Sequence, residues 1–287
     1  MSNRPARVVD AHVHLWDPAR TEWYPYLSRV QAHGSGDPSR MARRFDVASY
    51  RSESAAWHVE KFVNVAAATG RHSVDETIEL DGGTGGLGRP DAIVGGLPPS
   101  DSTAEVIELI DRQMTASRFR GVRPMGGLDR PVPDADVLDA LAERDLVFEL
   151  MTHPDQLGAA ATRLDGYEGV VVIEHTGWPR SDAAEERALW RAGIDALAGL
   201  GDNVLCKLSG LSMSLGSVHF DALAPWLEYA LEAFGVDRCM FASNFPVDSV
   251  YGTFDELYDT FSAVAAGLDD ESRDKLFAAN AERVYRC

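Results

Sequence analysis

The amino-acid sequence predicts a single α/β domain of the (β/α)8 TIM-barrel class over residues 1–287. Its 287 residues suit one such barrel, which commonly takes about 250. Short apolar runs rich in β-forming residues recur through the chain, and segments of helical periodicity separate many of them. Strand followed by helix, repeated eight times, is the pattern of a closed barrel. A doubly wound open sheet is the structural alternative.

The eight predicted strands are apolar almost throughout, as expected of parallel strands that are buried on both faces. They cover residues 8–16, 62–68, 92–97, 119–125, 146–152, 170–176, 204–208 and 239–245. A sheet of this kind needs helices on its outer surface.

Several of those helices can be predicted from their first turns. Ser102 with Glu105 predicts a capping box. The apolar residues that follow it at helical spacing predict one buried face, namely Val106, Ile107, Ile110 and Met114. Further helices are predicted at 134–144, at 182–199 with Asp182 and Glu185 as the capping pair, and at 270–285.

Two connections depart from the regular spacing. Residues 17–45 are long and rich in Pro, Trp and Tyr, which predicts a lid or wall over the mouth of the barrel. Residues 82–88 contain the letters G-x-G-x-x-G. A dinucleotide-binding loop has to leave a strand and open a helix, whereas this one leads into a predicted strand, so we expect a plain loop.

The charge of the chain restricts its partners. Its 45 Asp and Glu exceed its 27 Lys and Arg, which gives a formal net charge of −18 at pH 7. Such a surface repels phosphate backbones, so the sequence argues against nucleic acid and anionic membranes as partners. The expected partner is a small molecule. If that molecule is an anion, its site has to supply a local positive charge.

Cysteine content and hydropathy predict a cytoplasmic protein. Cys206, Cys239 and Cys287 are odd in number and far apart, which is typical of free thiols in a reducing compartment. The sequence has no long apolar segment of the kind that forms a signal peptide or a membrane span. Barrels of this kind are often homodimers, which is the only basis for expecting that assembly here.

Histidines follow several of the predicted strands. In a barrel, the polar residues that do chemistry lie at the carboxyl ends of the strands. His12 and His14 alternate along the first strand and so share a face, with Asp10 expected below them. His153 and His175 end two later strands. Four imidazoles that converge at one mouth can bind Zn²⁺ or a related ion.

Six sequence blocks, in order along nearly the whole chain, resemble the amidohydrolase superfamily. They are DAHVHLWD (10–17), RGVR (120–123), HTGWP (175–179), CKLSGL (206–211), SNFPVD (243–248) and NAERVY (280–285). Within that superfamily they are similar to the branch that holds 2-pyrone-4,6-dicarboxylate lactonase and sugar-acid lactonases. The resemblance implies a barrel hydrolase that acts on a cyclic ester.

The resemblance also implies a metal site, with one departure. Family members that use a metal hold it with the pair of histidines of strand one, a histidine of strand five or strand six, and a strand-eight aspartate. The histidines carry over to His12, His14, His153 and His175. That aspartate falls on Asn244 here. An amide is a weak ligand and cannot take a proton from water, so the usual deprotonation step needs another group.

Two mechanistic alternatives stay open at this stage. The branch includes lactonases that work without metal, in which case the histidines would donate hydrogen bonds and carry protons. Alternatively a divalent ion, Zn²⁺ or Mn²⁺, remains on the histidines, and Asp248 serves as base. A turn or capping role for Asp248 is the competing interpretation. Asp17 is a weaker candidate base.

Other side chains near the histidines predict how a substrate is held. Arg123 can bind a carboxylate through two N–H groups, although a structural ion pair would explain it as well. Lys207 lies in a buried strand and is expected to point toward the mouth. Trp16 and Trp178 stand beside the polar cluster and could wall a ring-shaped ligand.

The favoured hypothesis is therefore a hydrolase that opens a small carboxylated lactone. His12, His14, His175, Asn244 and Asp248 form its catalytic group. The first alternative is a metal-dependent decarboxylase of an unsaturated or aromatic acid, since a centre without its carboxylate suits a reaction that needs no hydrolytic water. The second is a catalytically inactive ligand-binding barrel.

Overall fold

Eight parallel strands follow one another around the structure in chain order, each hydrogen-bonded to the next. They are β1 Val8–Val13, β2 Val59–Val65, β3 Ala92–Leu97, β4 Phe119–Pro124, β5 Val147–Leu150, β6 Val171–Ile173, β7 Val204–Leu208 and β8 Cys239–Phe241. The structure is a computed structural model that describes residues 4–32, 34, 36–125 and 130–287. His33 and Ser35 of the predicted lid, and residues 1–3 of the predicted domain, lie outside the described residues. The predicted (β/α)8 barrel is confirmed.

The barrel closes between β1 and β8, just beyond the end of β8. The backbone N–H of Asn244 donates to the carbonyl of His12 at 2.8 Å, and the N–H of His14 donates to the carbonyl of Phe245 at 2.8 Å. Three of these four residues carry side chains that the sequence predicts to be catalytic. The seam that closes the barrel therefore also positions candidate catalytic residues.

Helices cover the outer surface of the sheet. The described α-helices are α1 Val47–Glu53, α2 His72–Gly82, α3 Thr103–Gln113, α4 Ala135–Glu143, α5 Pro154–Leu164, α6 Ala184–Ala198, α7 Ser212–Leu215, α8 Phe220–Phe234, α9 Phe254–Val264, α10 Asp270–Asp274 and α11 Asn280–Tyr285. Within the described part of the chain, no helix is long and apolar enough to cross a membrane.

The predicted helix starts are correct in part. Ser102 caps α3, because its hydroxyl accepts from the N–H of Glu105. Of the four residues predicted to form the buried face, Val106 and Ile110 are buried. Ile107 is half-buried, and Met114, the residue after the end of α3, is 45% exposed. Asp182 does not cap α6, which begins two residues later; its carboxylate pairs instead with Arg187.

Two more predictions concern the glycine-rich loop and the last helix. Residues 82–88 lead from the end of α2 toward β3, so the loop precedes a strand rather than a helix, as predicted. The predicted helix at 270–285 is interrupted. A π-helical turn, Lys275–Ala279, separates α10 from α11. Such a turn changes the direction in which the following side chains point.

The interior of the barrel is filled by alternate residues of the strands. This apolar cluster contains Val9, Ala11, Val63, Val65, Ala92, Val94, Val147, Val172, Leu205, Met240 and Ala242. Ala278, Ala281, Val284 and Tyr285 join the same cluster from the C-terminal end of the chain. The C-terminal helix therefore seals the end of the barrel at which the strands begin.

An irregularity in β1 changes the alternation of its side chains. The register against β2 shifts between Asp10 and Val13. Ala11 packs inside the barrel, whereas Asp10 accepts a hydrogen bond at 2.8 Å from the hydroxyl of Tyr50 on α1. The prediction that Asp10 lies below His12 on the same face is therefore wrong. Without the shift, His12 would point toward the helices instead.

A stability measurement tests the sealing role of Tyr285, which is fully buried and donates to Glu149 at 2.6 Å. Tyr285→Ala should lower the free energy of unfolding by about 3–5 kcal/mol, since it leaves a cavity in the barrel. Urea denaturation measures the loss. The neighbouring Arg286 forms an exposed ion pair with Asp145, so Arg286→Ala should cost about 1 kcal/mol or less. Equal losses would contradict the sealing role.

Candidate active site

Four charged side chains form a tier above the apolar interior of the barrel. Glu149, Glu174 and Lys207 each follow an interior residue of β5, β6 or β7 by two positions. Arg123 in the same way follows Gly121 of β4, which pairs with the interior residue Val94 of β3. The Nζ of Lys207 lies 2.6 and 2.7 Å from the carboxylate oxygens of Glu149. The Nη1 of Arg123 lies 3.1 Å from Oε2 of Glu174. We call these residues the charged tier; its two positive and two negative charges balance.

The two carboxylates of the charged tier differ in their affinity for protons. Burial alone would raise the pKa of Glu174, but the neighbouring Arg123 and His175 lower it to about 2. Burial raises the pKa of Glu149, and the ammonium of Lys207 opposes that rise. Glu174 therefore stands as an ionised carboxylate beside the histidines.

Three of the four predicted histidines come together above the charged tier. The ring centroids of His12 and His14 are 4.8 Å apart, and those of His12 and His175 are 4.6 Å apart. The Nε2 atoms of His12 and His14 lie 3.2 Å from each other. All three rings are buried. We call His12, His14 and His175 the histidine group.

Burial keeps the histidine group neutral. Burial and the charge of Lys207 hold the pKa of His12 well below its ordinary value. Burial and Arg123 lower the pKa of His14 to about 3. Burial lowers the pKa of His175 to about 4, although Glu174 opposes the shift. At neutral pH each ring therefore offers one N–H donor and one acceptor nitrogen.

The backbone around these side chains departs from strand geometry. β6 ends at Ile173 rather than at the predicted Thr176, because His175 and Thr176 adopt φ angles of 52° and 56°. A left-handed conformation is costly for a β-branched residue and is held by its surroundings. Here the carbonyl of Thr176 accepts from the indole of Trp190 at 2.6 Å. A Cβ at Gly210 would lie 2.3 Å from Nδ1 of His175, so this position requires glycine.

Asn244 and Asp248 form a second polar pair near the seam. Asn244 has a φ of 55°, so β8 ends before it. Its Nδ2 donates to Oδ1 of Asp248 at 2.8 Å. Its Oδ1 is buried and has no hydrogen-bond partner among the described residues. Burial raises the pKa of Asp248 to about 7, against the opposing hydrogen bond from Asn244. Asp248 can therefore exchange a proton near neutral pH.

His153 lies apart from the histidine group. β5 ends at Leu150, and His153 is the residue before α5. Its Nδ1 is 2.9 Å from the carbonyl of Trp178, and the two rings are 4.6 Å apart. Within the described residues, His12, Glu174 and His175 form the group whose ligand atoms all lie within 4.8 Å of one another. The structure thus places Glu174, and not His153, beside His12 and His175.

The remaining predicted site residues surround this centre. Trp16 stacks on His14 with ring centroids 5.8 Å apart, and Trp178 meets His175 edge-on at 6.0 Å. Arg123 is 8% exposed, and its Nε has no hydrogen-bond partner among the described residues. Lys207 is fully buried against Glu149, and its Nζ points toward the histidine group, 3.5 Å from Nδ1 of His12.

The segment predicted to be a lid is attached to the barrel by α2. The hydroxyl of Tyr24 donates to Glu76 at 2.8 Å, and Arg20 pairs with Glu79 at 2.7 Å. Glu76 also accepts from the N–H of Ala67, just after β2. The segment reaches the site through Tyr26, whose ring packs edge-on against Trp16.

Sequence reasoning missed Glu149 and Glu174 as site residues. Glu149 lies within an apolar strand, as Lys207 does. Charged residues in strands that are buried on both faces are rare unless they are paired. Two such residues of opposite sign are a signal for a buried ion pair. Glu174 directly precedes a predicted site histidine, but nothing in the sequence shows where its side chain points.

The chain was compared with known proteins. The model of the amidohydrolase family matches residues 9–287. The L-fucono-1,5-lactonase of Burkholderia ambifaria is 26% identical over 295 residues, which cover 97% of this chain and 95% of that protein. An amidohydrolase of Burkholderia multivorans, crystallised with bound zinc, has a TM-score of 0.78 at 26% identity and covers 98% of this chain and 99% of its own.

A third relative shows the fold alone. This Pseudomonas putida protein, provisionally named a 2-pyrone-4,6-dicarboxylic acid hydrolase, has a TM-score of 0.68 at 20% identity and 97% coverage of both chains. The family match and the L-fucono-1,5-lactonase agree with the predicted family and branch. The resemblance stated from the six sequence blocks is confirmed.

The ion pair between Lys207 and Glu149 gives a prediction about stability. Lys207→Met should lower the free energy of unfolding by about 3–5 kcal/mol, because it leaves a carboxylate buried without its partner. The double variant Lys207→Met/Glu149→Gln should recover most of that loss. Urea denaturation followed by tryptophan fluorescence compares the two. A double variant no more stable than Lys207→Met would show that the two charges do not depend on each other.

Proposed function

This chain belongs to the amidohydrolase family, and we propose that it opens a small carboxylated lactone by adding water to the ring carbonyl. The observation that carries this proposal is the convergence of His12, His14 and His175 on one buried point above the charged tier. Neutral imidazole N–H groups in a dry site are suited to stabilising the oxyanion that forms when water attacks a carbonyl. The lactonase relative supports the choice of a cyclic ester.

Arg123 is the proposed site for the carboxylate of the substrate. Its ion pair with Glu174 leaves the Nε–H without a partner among the described residues. The chain carries a net charge of −18, so an anionic substrate needs a cation of this kind near the reacting carbon. Trp16 and Trp178 flank the histidine group and would bound the ring of the substrate.

Asp248 is the proposed base. Its carboxylate would take a proton from water while the water oxygen forms a bond to the carbonyl carbon. The unpartnered Oδ1 of Asn244 lies beside it and would accept a hydrogen bond from the same water. The ring C–O bond then breaks, and the leaving oxygen takes the proton from Asp248. The product is an open-chain hydroxy acid.

A divalent ion fits the residues next to this centre. His12, Glu174 and His175 would hold it, since their ligand atoms lie within 4.8 Å of one another and Oε1 of Glu174 is buried without a partner among the described residues. Two imidazoles and a carboxylate are a common ligand set for zinc. Zn²⁺ or Mn²⁺ would polarise the carbonyl oxygen as a Lewis acid. Every other step described above uses side chains of this chain.

An assay of ring opening tests the proposal. A panel of carboxylated lactones, sugar-acid lactones included, is followed with a pH indicator, because each opening releases a proton at neutral pH. Carbon dioxide is measured in the same reactions, and metal content is measured on protein purified without chelators. We expect proton release without carbon dioxide. Carbon dioxide release would indicate a decarboxylase, and tight binding without conversion would indicate a ligand-binding barrel.

The histidine group gives the first activity prediction. His12→Ala and His175→Ala should each lower kcat/KM by roughly 10²–10³-fold, the usual effect of removing a donor to an oxyanion. Circular dichroism checks that the fold is retained. His58→Ala is the matched control, since the side chain of His58 is 68% exposed and lies outside the site. Full activity in both His12→Ala and His175→Ala would contradict the proposed function.

The dependence of kcat on pH gives the second activity prediction. A base with a raised pKa is protonated and inactive at low pH, so kcat should rise as the pH rises through about 7. Asp248→Asn should abolish this limb and lower kcat by roughly 10²–10⁴-fold. Asn244→Asp should move the limb to higher pH, because a second carboxylate disfavours ionisation of the first. An unchanged profile in Asp248→Asn would exclude Asp248 as the base.

A further inference from the structure

We propose that Lys207 is a positioning residue that fixes the tautomer of His12, so that the Nε2 of His12 carries the proton. The catalytic consequence rests on the proposed function: His12 would then act on the substrate as a hydrogen-bond donor. The assignment of the tautomer itself rests only on contacts within the barrel.

The first contact is between Lys207 and His12. The Nζ of Lys207 lies 3.5 Å from Nδ1 of His12. An ammonium has three donors and no acceptor, so the nitrogen that faces it has to present a lone pair. The single proton of a neutral imidazole then resides on the other nitrogen, Nε2.

The second contact is between His14 and the backbone. The Nδ1 of His14 lies 2.8 Å from the carbonyl oxygen of Val65, which can only accept. Nδ1 of His14 therefore carries its proton, and its Nε2 presents a lone pair. That lone pair lies 3.2 Å from Nε2 of His12. With the other tautomer of His12, two lone pairs would face each other at this distance and an N–H would face an ammonium.

Both ends of this series of hydrogen bonds thus require the same donor-to-acceptor direction. Lys207 donates to His12, His12 donates to His14, and His14 donates to the carbonyl of Val65. A carbonyl oxygen bound beside His12 can take over or share the N–H at Nε2. The donor is oriented before the substrate arrives, so the reaction bears no cost for turning or re-protonating the ring.

Lys207 is itself held in place from the far end of the barrel. Both carboxylate oxygens of Glu149 contact its Nζ, and one of them also accepts from the hydroxyl of Tyr285 at 2.6 Å. The ring of Tyr285 lies 5.1 Å from the same Nζ. The C-terminal helix therefore supports the position of the ammonium next to His12.

The proposal also concerns metal binding. A metal ion needs the lone pair of the nitrogen that it binds, and Lys207 holds a proton on Nε2 of His12. Removing the ammonium should therefore make His12 a better ligand. The affinity for Zn²⁺ should rise when both charges of the Lys207–Glu149 pair are removed together.

Nitrogen NMR of the imidazoles tests the tautomer directly. Protein with ¹⁵N-labelled histidine gives ring correlations that distinguish Nε2–H from Nδ1–H, and His12→Gln identifies the signals of His12. Wild-type protein should show the Nε2–H tautomer at His12. Glu149→Asp, which keeps a carboxylate opposite Lys207, should show the same. Glu149→Gln/Lys207→Met, which leaves neither charge unpaired, should show a mixture in which the share of the Nδ1–H form has risen, because only His14 then favours Nε2–H.

Kinetics and calorimetry provide the second readout. The double variant should lower kcat about 10–100-fold, the usual effect of losing a residue that orients another. KM should change little, because the bound carboxylate and ring are untouched. Tyr285→Phe should lower kcat by a smaller factor than the double variant does. Tyr167→Phe is its control, since that hydroxyl has no hydrogen-bond partner among the described residues. Calorimetric titration should show tighter Zn²⁺ binding by the double variant.

Each outcome decides the proposal. A wild-type His12 protonated on Nδ1, or on both nitrogens, would overturn it even if no variant folds. An unchanged tautomer in the folded double variant would overturn it as well. If the wild-type protein opens no lactone, the proposed function fails while the NMR result still decides the role of Lys207.

Discussion

The site depends on two ion pairs that are buried inside an otherwise apolar barrel. Charges removed from water are tolerated only when each one is paired, and here Lys207 meets Glu149 while Arg123 meets Glu174. The apolar cluster and the C-terminal helix below the charged tier keep water away from it. The two cations lower the proton affinity of the rings above them. Burial is the main reason that the histidine group stays neutral, and the two cations of the charged tier add to this effect.

The seam between β1 and β8 places the other reacting groups. Backbone hydrogen bonds join His12 and His14 to the residues after β8. The contacts that close the barrel therefore also hold the backbone of the site residues. The left-handed residues His175 and Asn244 turn their side chains out of strand alternation. Such conformations persist only where their surroundings hold them, which is typical of functional sites. Small errors in this seam would displace several site residues together.

The sequence predicts the fold well because eight apolar runs are a simple consequence of burial on both faces. It also predicts the histidine group, since strand ends collect at one mouth. It misplaces Asp10 because a single register shift in β1 inverts the alternation from which faces are inferred. His153 is displaced from the group because it is the third residue after the end of β5 and directly precedes α5. Each ion pair of the charged tier joins residues from two different strands. The sequence alone does not show which charged side chains on different strands meet.

The central claim is that ring opening takes place where the histidine group stands above the charged tier. A crystal structure of the Asp248→Asn variant with a carboxylated lactone tests this most directly, because that variant should bind the substrate and turn it over slowly. We predict the carbonyl oxygen within hydrogen-bond distance of His12 or His175 and the carboxylate against Arg123. A lactone bound elsewhere, or bound with its carbonyl directed away from the imidazoles, would contradict the account.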